Sequence, residues 1–371
     1  MPVGAGLSVG TGLPAIASPR SDASTELSAS QASQLPQGPL LPHLFLFFFK
    51  ENLLSSPIPV TILSGFLGAG KTTLLRHLLK AEHGLKIAVI ENEFSDAGID
   101  TQLLGDEPVQ VMTLSNGCVC CTIHTDLTKA LYLLLERLDS GEIAFDRLVI
   151  ECTGLADPAP VAQTFFIDEE LRERYILDGI ITLVDAAHAE HHLTQTIAQA
   201  QIGFADRLLV SKRDLVDDAS FDALSQRLTR INRRAPIRVV DHGKIDLAEL
   251  LDVRGFNLNA GMSLRPVSAA PSVDRISSLV LRTDQPLDID RLSEFMNELL
   301  EDHGKQLLRY KGVLNIAGED RRMVFQGVLK LYGFDWDTEW AEGEARESVI
   351  VFIADELPED KIRQGFERVY Q

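Results

Sequence analysis

Residues 65–72 read Gly-Phe-Leu-Gly-Ala-Gly-Lys-Thr, which is a complete G-x-x-x-x-G-K-[ST] loop. The apolar run at 60–64 directly precedes this loop, and a helical pattern follows it at 72–79. A strand, a glycine loop and a helix start in this order aim backbone N–H groups and the positive end of the helix at one point. The stretch therefore predicts a phosphate-binding loop.

Within this loop, two side chains are predicted to do the chemistry of nucleotide binding. Lys71 would reach the outer phosphates, and the Thr72 hydroxyl would ligate Mg²⁺. We expect the remaining phosphate contacts from the loop and the first helical turn, at Gly65, Gly68, Ala69, Gly70 and Thr73.

The chain after residue 59 alternates short apolar runs with amphipathic stretches. Such alternation is typical of a mostly parallel sheet covered by helices on both faces, so the predicted fold class is an α/β P-loop NTPase. Ligands of such sheets bind at the carboxyl ends of the strands. Further strands are predicted at 86–90, 109–114, 147–150, 179–184, 207–210 and 236–240, and helices at 126–138 and 220–232.

Composition divides the chain into three parts. Residues 1–56 are rich in Ser, Ala, Pro and Gly and end in an apolar stretch at 40–49, about half of the ~20 residues that span a membrane. We predict a disordered extension there, with a targeting role or a start codon assigned too far upstream as alternatives. Residues 57–265 would form the P-loop domain. Residues 266–371 would form a small α+β domain, with strands at 276–282, 312–316, 322–330 and 348–353 and helices at 289–301 and 359–370.

Charge and cysteine content narrow the classes of partner. The net charge of −19 argues against nucleic acid and membrane surfaces as partners, since both are anionic. Three of the four cysteines lie within residues 118–121. They cannot form a disulfide framework, and reduced thiols indicate a cytoplasmic protein.

Two further segments that follow buried strands fit a GTP site. Glu151 ends an apolar run and is followed by Cys-Thr-Gly, so its carboxylate could hold Mg²⁺ through water or orient the attacking water, while the Gly154 N–H could contact the γ-phosphate. Lys212 and Asp214 follow the run at 207–210. A buried aspartate that accepts from guanine N1–H and its amino group rejects adenine, so GTP is predicted over ATP.

The segment Cys118-Val119-Cys120-Cys121 predicts a metal site. Thiolates favour Zn²⁺ or Cu(I), and tetrahedral zinc requires one further ligand. The candidates for that ligand are Glu91, Glu93, Asp96 and His124. Redox chemistry between the thiols is the competing interpretation.

Three histidines, His188, His191 and His192, could face one side of a helix. They are candidates for a secondary patch that collects metal, although exposed histidines near a helix start are more often inert. Cys152 is predicted to be a small buried side chain.

Taken together, the motifs at 65–73, 90–94, 115–121, 151–158 and 211–214 resemble the CobW family of P-loop GTPases, from Pro57 to the end of the chain. Residues 309–312 and 325–327 are similar to its YjiA-like branch. The resemblance implies slow GTP hydrolysis, binding of Zn²⁺ with Co²⁺ or Ni²⁺ as competitors, and metal delivery to a client metalloprotein. Ser95, Asp96 and His124 depart from the family pattern, which affects metal identity and affinity.

Our hypothesis is therefore a GTP-hydrolysing metal chaperone in which residues 91–96 and 118–121 rearrange as the γ-phosphate is bound and lost. Two alternatives are a zinc-buffering protein with little GTP turnover and a P-loop kinase of small molecules. Self-association into a homo-oligomer is left open by the sequence.

Overall fold

The phosphate-loop motif joins a central strand of a parallel sheet to a helix, as the sequence predicts. The computed structural model describes residues 46–47, 57–81, 84–91, 110–113, 122–247, 250–251, 253 and 274–370. The prediction of disorder at 1–56 therefore falls almost wholly outside the described residues, except for a two-residue strand, β1 (Leu46–Phe47).

The first sheet contains seven strands, all parallel, in the order β4-β3-β5-β2-β6-β7-β8. Each predicted strand is present, and the P-loop strand β2 lies between β5 and β6. Their bounds are β2 Ile58–Gly65, β3 Ile87–Glu91, β4 Gln110–Thr113, β5 Arg147–Glu151, β6 Tyr175–Asp185, β7 Arg207–Ser211 and β8 Ile237–Val239.

Helices cover both faces of this sheet because successive side chains of each strand point to opposite faces. Val60 and Ile62 of β2 belong to one apolar cluster, while Leu63 belongs to another. The helix after the P-loop packs on the Leu63 face, and most of the others pack on the Val60 face. The predicted α/β P-loop fold is confirmed. The helices are α1 Lys71–Lys80, α2 Thr122–Asp139, α3 Pro158–Ile167, α4 Glu169–Arg174, α5 Ala189–His192, α6 Thr196–Phe204 and α7 Asp218–Ile231.

The second sheet has the order β1-β12-β11-β10-β13-β9 and is antiparallel apart from the β1–β12 pair. Two helices pack on it, which confirms the predicted α+β character. The bounds are β9 Ile276–Thr283, α8 Ile289–His303, β10 Leu307–Asn315, β11 Arg321–Val328, β12 Leu331–Glu339, β13 Ser348–Asp355 and α9 Glu359–Tyr370. Within the described ranges, no helix meets the length and apolarity needed to cross a bilayer.

In this part, the sequence analysis placed one strand start too late and missed one strand. Strand β10 begins at Leu307 rather than at 312, and β12 was not predicted. The early part of β10 carries Arg309 and Lys311, whose charges are atypical of a buried strand. Both side chains are nevertheless buried, at 2% and 4% exposure, because this face of the sheet packs against the first domain.

A buried ion network joins the two sheets at that contact. Arg309 donates to Asp206 Oδ1 at 2.6 Å and to the Phe204 carbonyl at 2.7 Å, and Arg234 also pairs with Asp206. Burial alone would raise the pKa of Asp206, but the two guanidinium groups lower it to about 2. Burial lowers the pKa of Lys311 to about 7. The Asp206 carboxylate thus stays charged and holds β10 to the segment that leads into β7.

Candidate functional site

The conformation of the phosphate loop depends on glycine at its first position. Gly65 has φ 138°, and a Cβ there would lie 2.5 Å from the Leu183 carbonyl oxygen. Gly70, directly before α1, has φ 100°. Residues other than glycine rarely adopt such backbone angles. The loop can therefore press its backbone against β6 and turn into the helix.

Lys71 is folded into the loop that it ends. Its side-chain ammonium donates to the Gly65 carbonyl at 2.9 Å and to the Phe66 carbonyl at 3.4 Å. The residue is only 9% exposed although it carries a charge. The structure thus places a positive charge at the centre of the phosphate loop, where the sequence predicts it.

The two predicted Mg²⁺ groups are brought together from positions 79 residues apart. The Thr72 hydroxyl donates to Glu151 Oε1 at 3.1 Å. Hydroxyl and carboxylate oxygens are the donors that Mg²⁺ prefers, so this pair fits the ion. Cys152 follows Glu151 and is buried, and burial raises the pKa of its thiol to about 12. A thiol that stays protonated is inert, as predicted for this residue.

The loop after β5 lies directly on the phosphate loop. A Cβ on Gly154 would approach the Leu67 backbone nitrogen to 2.6 Å, so only glycine fits between the two loops. Gln201 on α6 holds this loop from behind, since its amide donates to the Gly154 carbonyl at 3.1 Å and to the Ala156 carbonyl at 3.0 Å. Sequence reasoning missed Gln201. The available signal was a polar residue within the apolar pattern of α6.

A cavity of about 310 Å³ opens beside the phosphate loop and has a size suited to a small ligand. The predicted base-reading residues Lys212 and Asp214 lie on its wall, opposite Gly70 and Thr73 of the P-loop side. Ser211 ties this wall to the phosphate loop, because its hydroxyl donates to the Ala69 carbonyl at 2.7 Å. The predicted phosphate and base elements therefore border one cavity.

A buried carboxylate anchors Lys212 at this cavity. The Lys212 ammonium donates to Asp185 Oδ2 at 2.6 Å, and His188 Nδ1 contacts the same oxygen at 2.8 Å. Burial raises the pKa of Asp185, but its hydrogen bonds with Lys212 and His188 outweigh this and leave the pKa below its usual value. Asp185 was not predicted from the sequence.

Of the proposed metal ligands, the structure describes only Glu91. Glu91 ends β3 and is 3% exposed, and the strand register places it directly beside Glu151 on one side and beside Thr113 on the other. Asp96 and the three clustered cysteines, Cys118, Cys120 and Cys121, lie outside the described residues, as do Glu93 and the side chain of His124.

The histidine trio lies close to the phosphate loop. The His192 ring is 4.4 Å from the Phe66 ring, while the His188 and His191 rings lie 5.9 and 6.3 Å from that of His192. Burial is the main cause of a lowered pKa at His192. Among the residues that the structure describes, no three potential ligands are grouped to hold a metal ion. A metal-collecting role for His188, His191 and His192 stays a hypothesis.

Comparisons with known proteins agree with this geometry. Residues 59–239 match the family model described as "CobW/HypB/UreG, nucleotide-binding domain", and residues 276–370 match "Cobalamin synthesis protein cobW C-terminal domain". The zinc chaperone YjiA of Escherichia coli is 52% identical over 84% of this chain and 98% of its own length. The zinc chaperone CobW of Pseudomonas aeruginosa is 33% identical over 82% and 89%. The crystal structure of Zn(II)-bound YjiA GTPase from E. coli superposes with a TM-score of 0.72 at 47% identity, covering 85% of this chain and all of that one.

Proposed function

The chain belongs to the CobW/HypB/UreG family of P-loop GTPases, and from that premise we propose that it hydrolyses GTP to control the binding and release of zinc. In this proposal, a client metalloprotein receives the ion. The relatives are described as zinc chaperones, and the reduced thiols that zinc binding requires suit the cytoplasm.

The proposed coupling between GTP hydrolysis and zinc binding rests on one observation. Glu91 pairs with Glu151 in the sheet register. Neighbouring strands lie about 4.8 Å apart. Glu151 also contacts the Thr72 hydroxyl at 3.1 Å. If Glu91 ligates zinc, it lies one strand away from Glu151, the proposed Mg²⁺ carboxylate. A movement of either side chain would therefore change the position and the electrostatic environment of the other.

The clustered thiols are connected to this edge by short stretches of chain. Thr113 ends β4 beside Glu91, and α2 begins at Thr122, directly after Cys121. Cys118 follows Thr113 by five residues, a separation that spans at most about 18 Å. The proposal requires the thiolates to approach Glu91, and the chain lengths permit it.

A solved relative supports the choice of ligands. A Zn(II)-bound YjiA variant has one glutamate and two consecutive cysteines replaced by alanine. Its glutamate precedes the first of those cysteines by 29 positions, which is also the separation of Glu91 from Cys120 in this chain. That variant is still Zn(II)-bound, so zinc binds this relative at residues other than these three. The test of ligand identity must therefore measure affinity and not only occupancy.

The described residues divide the work of hydrolysis. Lys71 offers its ammonium to the outer phosphates, and Glu151, 3.1 Å from the Thr72 hydroxyl, helps to hold Mg²⁺. Asp214 reads the guanine edge from the cavity. Mg²⁺ bound at Thr72 and Glu151 would neutralise charge on the β- and γ-phosphates. Gln201 keeps the loop at Gly154 against the phosphate loop. A movement of this loop on loss of the γ-phosphate would therefore displace Glu151 and, beside it, Glu91.

We expect Cys120→Ala to weaken zinc binding at least about tenfold, since it removes a thiolate ligand from the ion. Competition with a chromophoric zinc chelator would measure the affinity. Cys152→Ala is the matched control, because it removes the cysteine outside the 118–121 cluster, whose thiol is buried. Equal zinc affinities of wild type and Cys120→Ala would remove the thiol segment from the proposed site.

A further inference from the structure

Asp185 lies at the end of a strand between two others. One neighbour is the phosphate-loop strand β2, and the other is β7, which the base-reading residues directly follow. It ends β6, and the register pairs it with Ser211 at the end of β7. Its side chain is only 2% exposed. Oδ1 accepts from the Ala187 backbone N–H at 3.0 Å, while Oδ2 faces Lys212 and His188. Both carboxylate oxygens are thus in use, and the direction of the group is fixed.

The contact with Asp185 holds the end of the long Lys212 side chain in one place. The residue has a left-handed backbone with φ 55°, a conformation that non-glycine residues seldom adopt. Its side chain is 37% exposed, and a long lysine side chain loses considerable rotamer entropy when it is held in one place. The 2.6 Å contact with Asp185 holds the ammonium at the wall of the base cavity.

We propose that Asp185 is a positioning residue for nucleotide binding, acting through Lys212 on the face of the guanine base. The inference rests on the proposed GTP site and adds a residue to it. Asp214 selects guanine by its hydrogen-bonding edge, whereas Asp185 keeps the lysine stem against the ring. Loss of Asp185 should therefore weaken the binding of guanine and hypoxanthine nucleotides equally.

The test is a double-mutant cycle on GDP affinity. Asp185→Asn is expected to raise the Kd for GDP about tenfold, which is the effect of losing one charge-assisted hydrogen bond. Lys212→Ala should raise it by a similar factor. The double variant should bind no more weakly than Lys212→Ala alone, because the two residues act as one unit. Additive losses, or an unchanged Kd in Asp185→Asn, would overturn the inference.

A control separates positioning from general loss of stability. Asp178 is also on β6 and buried, and it pairs with Arg147 at 2.9 Å, far along the strand from the cavity. Asp178→Asn should lower the melting temperature without changing the Kd for GDP. Asp185→Glu retains the charge and should recover most of the affinity, which provides a second variant if Asp185→Asn folds poorly. Failure of Asp185→Glu to bind GDP better than Asp185→Asn would count against positioning by the charge.

A second readout uses inosine diphosphate, which lacks the amino group of guanine. Asp185→Asn should raise the Kd for GDP and for inosine diphosphate by the same factor. A selective loss of GDP binding would assign Asp185 to edge recognition and contradict the inference. If the wild-type chain bound neither nucleotide, the proposed function would fail together with this inference; if it bound both and Asp185→Asn bound them equally well, only the inference would fail.

Discussion

Lys71→Ala is expected to lower the turnover number for GTP hydrolysis about a hundredfold to a thousandfold, the usual loss when one preorganised donor to transition-state charge is removed. The Lys71 ammonium lies inside the phosphate loop, 2.9 Å from the Gly65 carbonyl, so its loss removes a positive charge from the centre of that loop. Phosphate release at saturating GTP and Mg²⁺ would measure the effect.

The matched control for this variant is Lys80→Ala. Lys80 ends the same helix and is exposed, so its loss changes the net charge and the helix composition equally but leaves the loop intact. Lys80→Ala should hydrolyse GTP at the wild-type rate. If Lys71→Ala did the same, the phosphate loop could not be the site of hydrolysis.

Asp214→Asn is expected to weaken GDP binding on the order of a hundredfold and to favour xanthosine diphosphate. The aspartate accepts from both guanine N1–H and the amino group, whereas an asparagine amide places a donor against one of these donors. Xanthine has a carbonyl oxygen in place of the amino group, so the asparagine amide can donate to it. Displacement of a fluorescent guanine nucleotide by each diphosphate would give the two affinities.

Asp218→Asn is the control for this exchange. Asp218 lies four residues further along the chain with its side chain 96% exposed, and it does not line the cavity. It should keep the wild-type preference for GDP. An Asp214→Asn chain that still bound GDP as tightly as wild type would show that the cavity beside Lys212 does not hold the base.

The parts of the site that the sequence predicted are those in which a local pattern and a chemical requirement coincide. The phosphate loop needs glycine at positive φ and a lysine at its end, and both stand next to each other in the chain at 65–71. Glu151 was predicted because it ends an apolar run, is followed by Cys-Thr-Gly, and accompanies the Lys71 loop in the same chain. Its contact with Thr72 follows from the parallel order of β2 and β5.

The parts that could not be predicted depend on contacts between distant segments. Asp185 ends β6 as an ordinary acid would, and only its contact with Lys212, which directly follows the next strand, points to the proposed role. Gln201 acts through two carbonyls more than forty residues away. The start of β10 was missed because Arg309 and Lys311 are charged, whereas buried strands are usually apolar. Their burial against Asp206 and its neighbours comes from domain packing, which strand periodicity does not reveal.

We propose that nucleotide state sets the affinity for zinc, because Glu91 and Glu151 are neighbours at the carboxyl ends of adjacent strands. The direct measurement is the zinc Kd of the full chain with bound GDP and with a non-hydrolysable GTP analogue, each with Mg²⁺. We expect zinc to bind about tenfold more tightly with the GTP analogue, within the usual range of coupling between two sites. Equal zinc affinities in the two nucleotide states would contradict it.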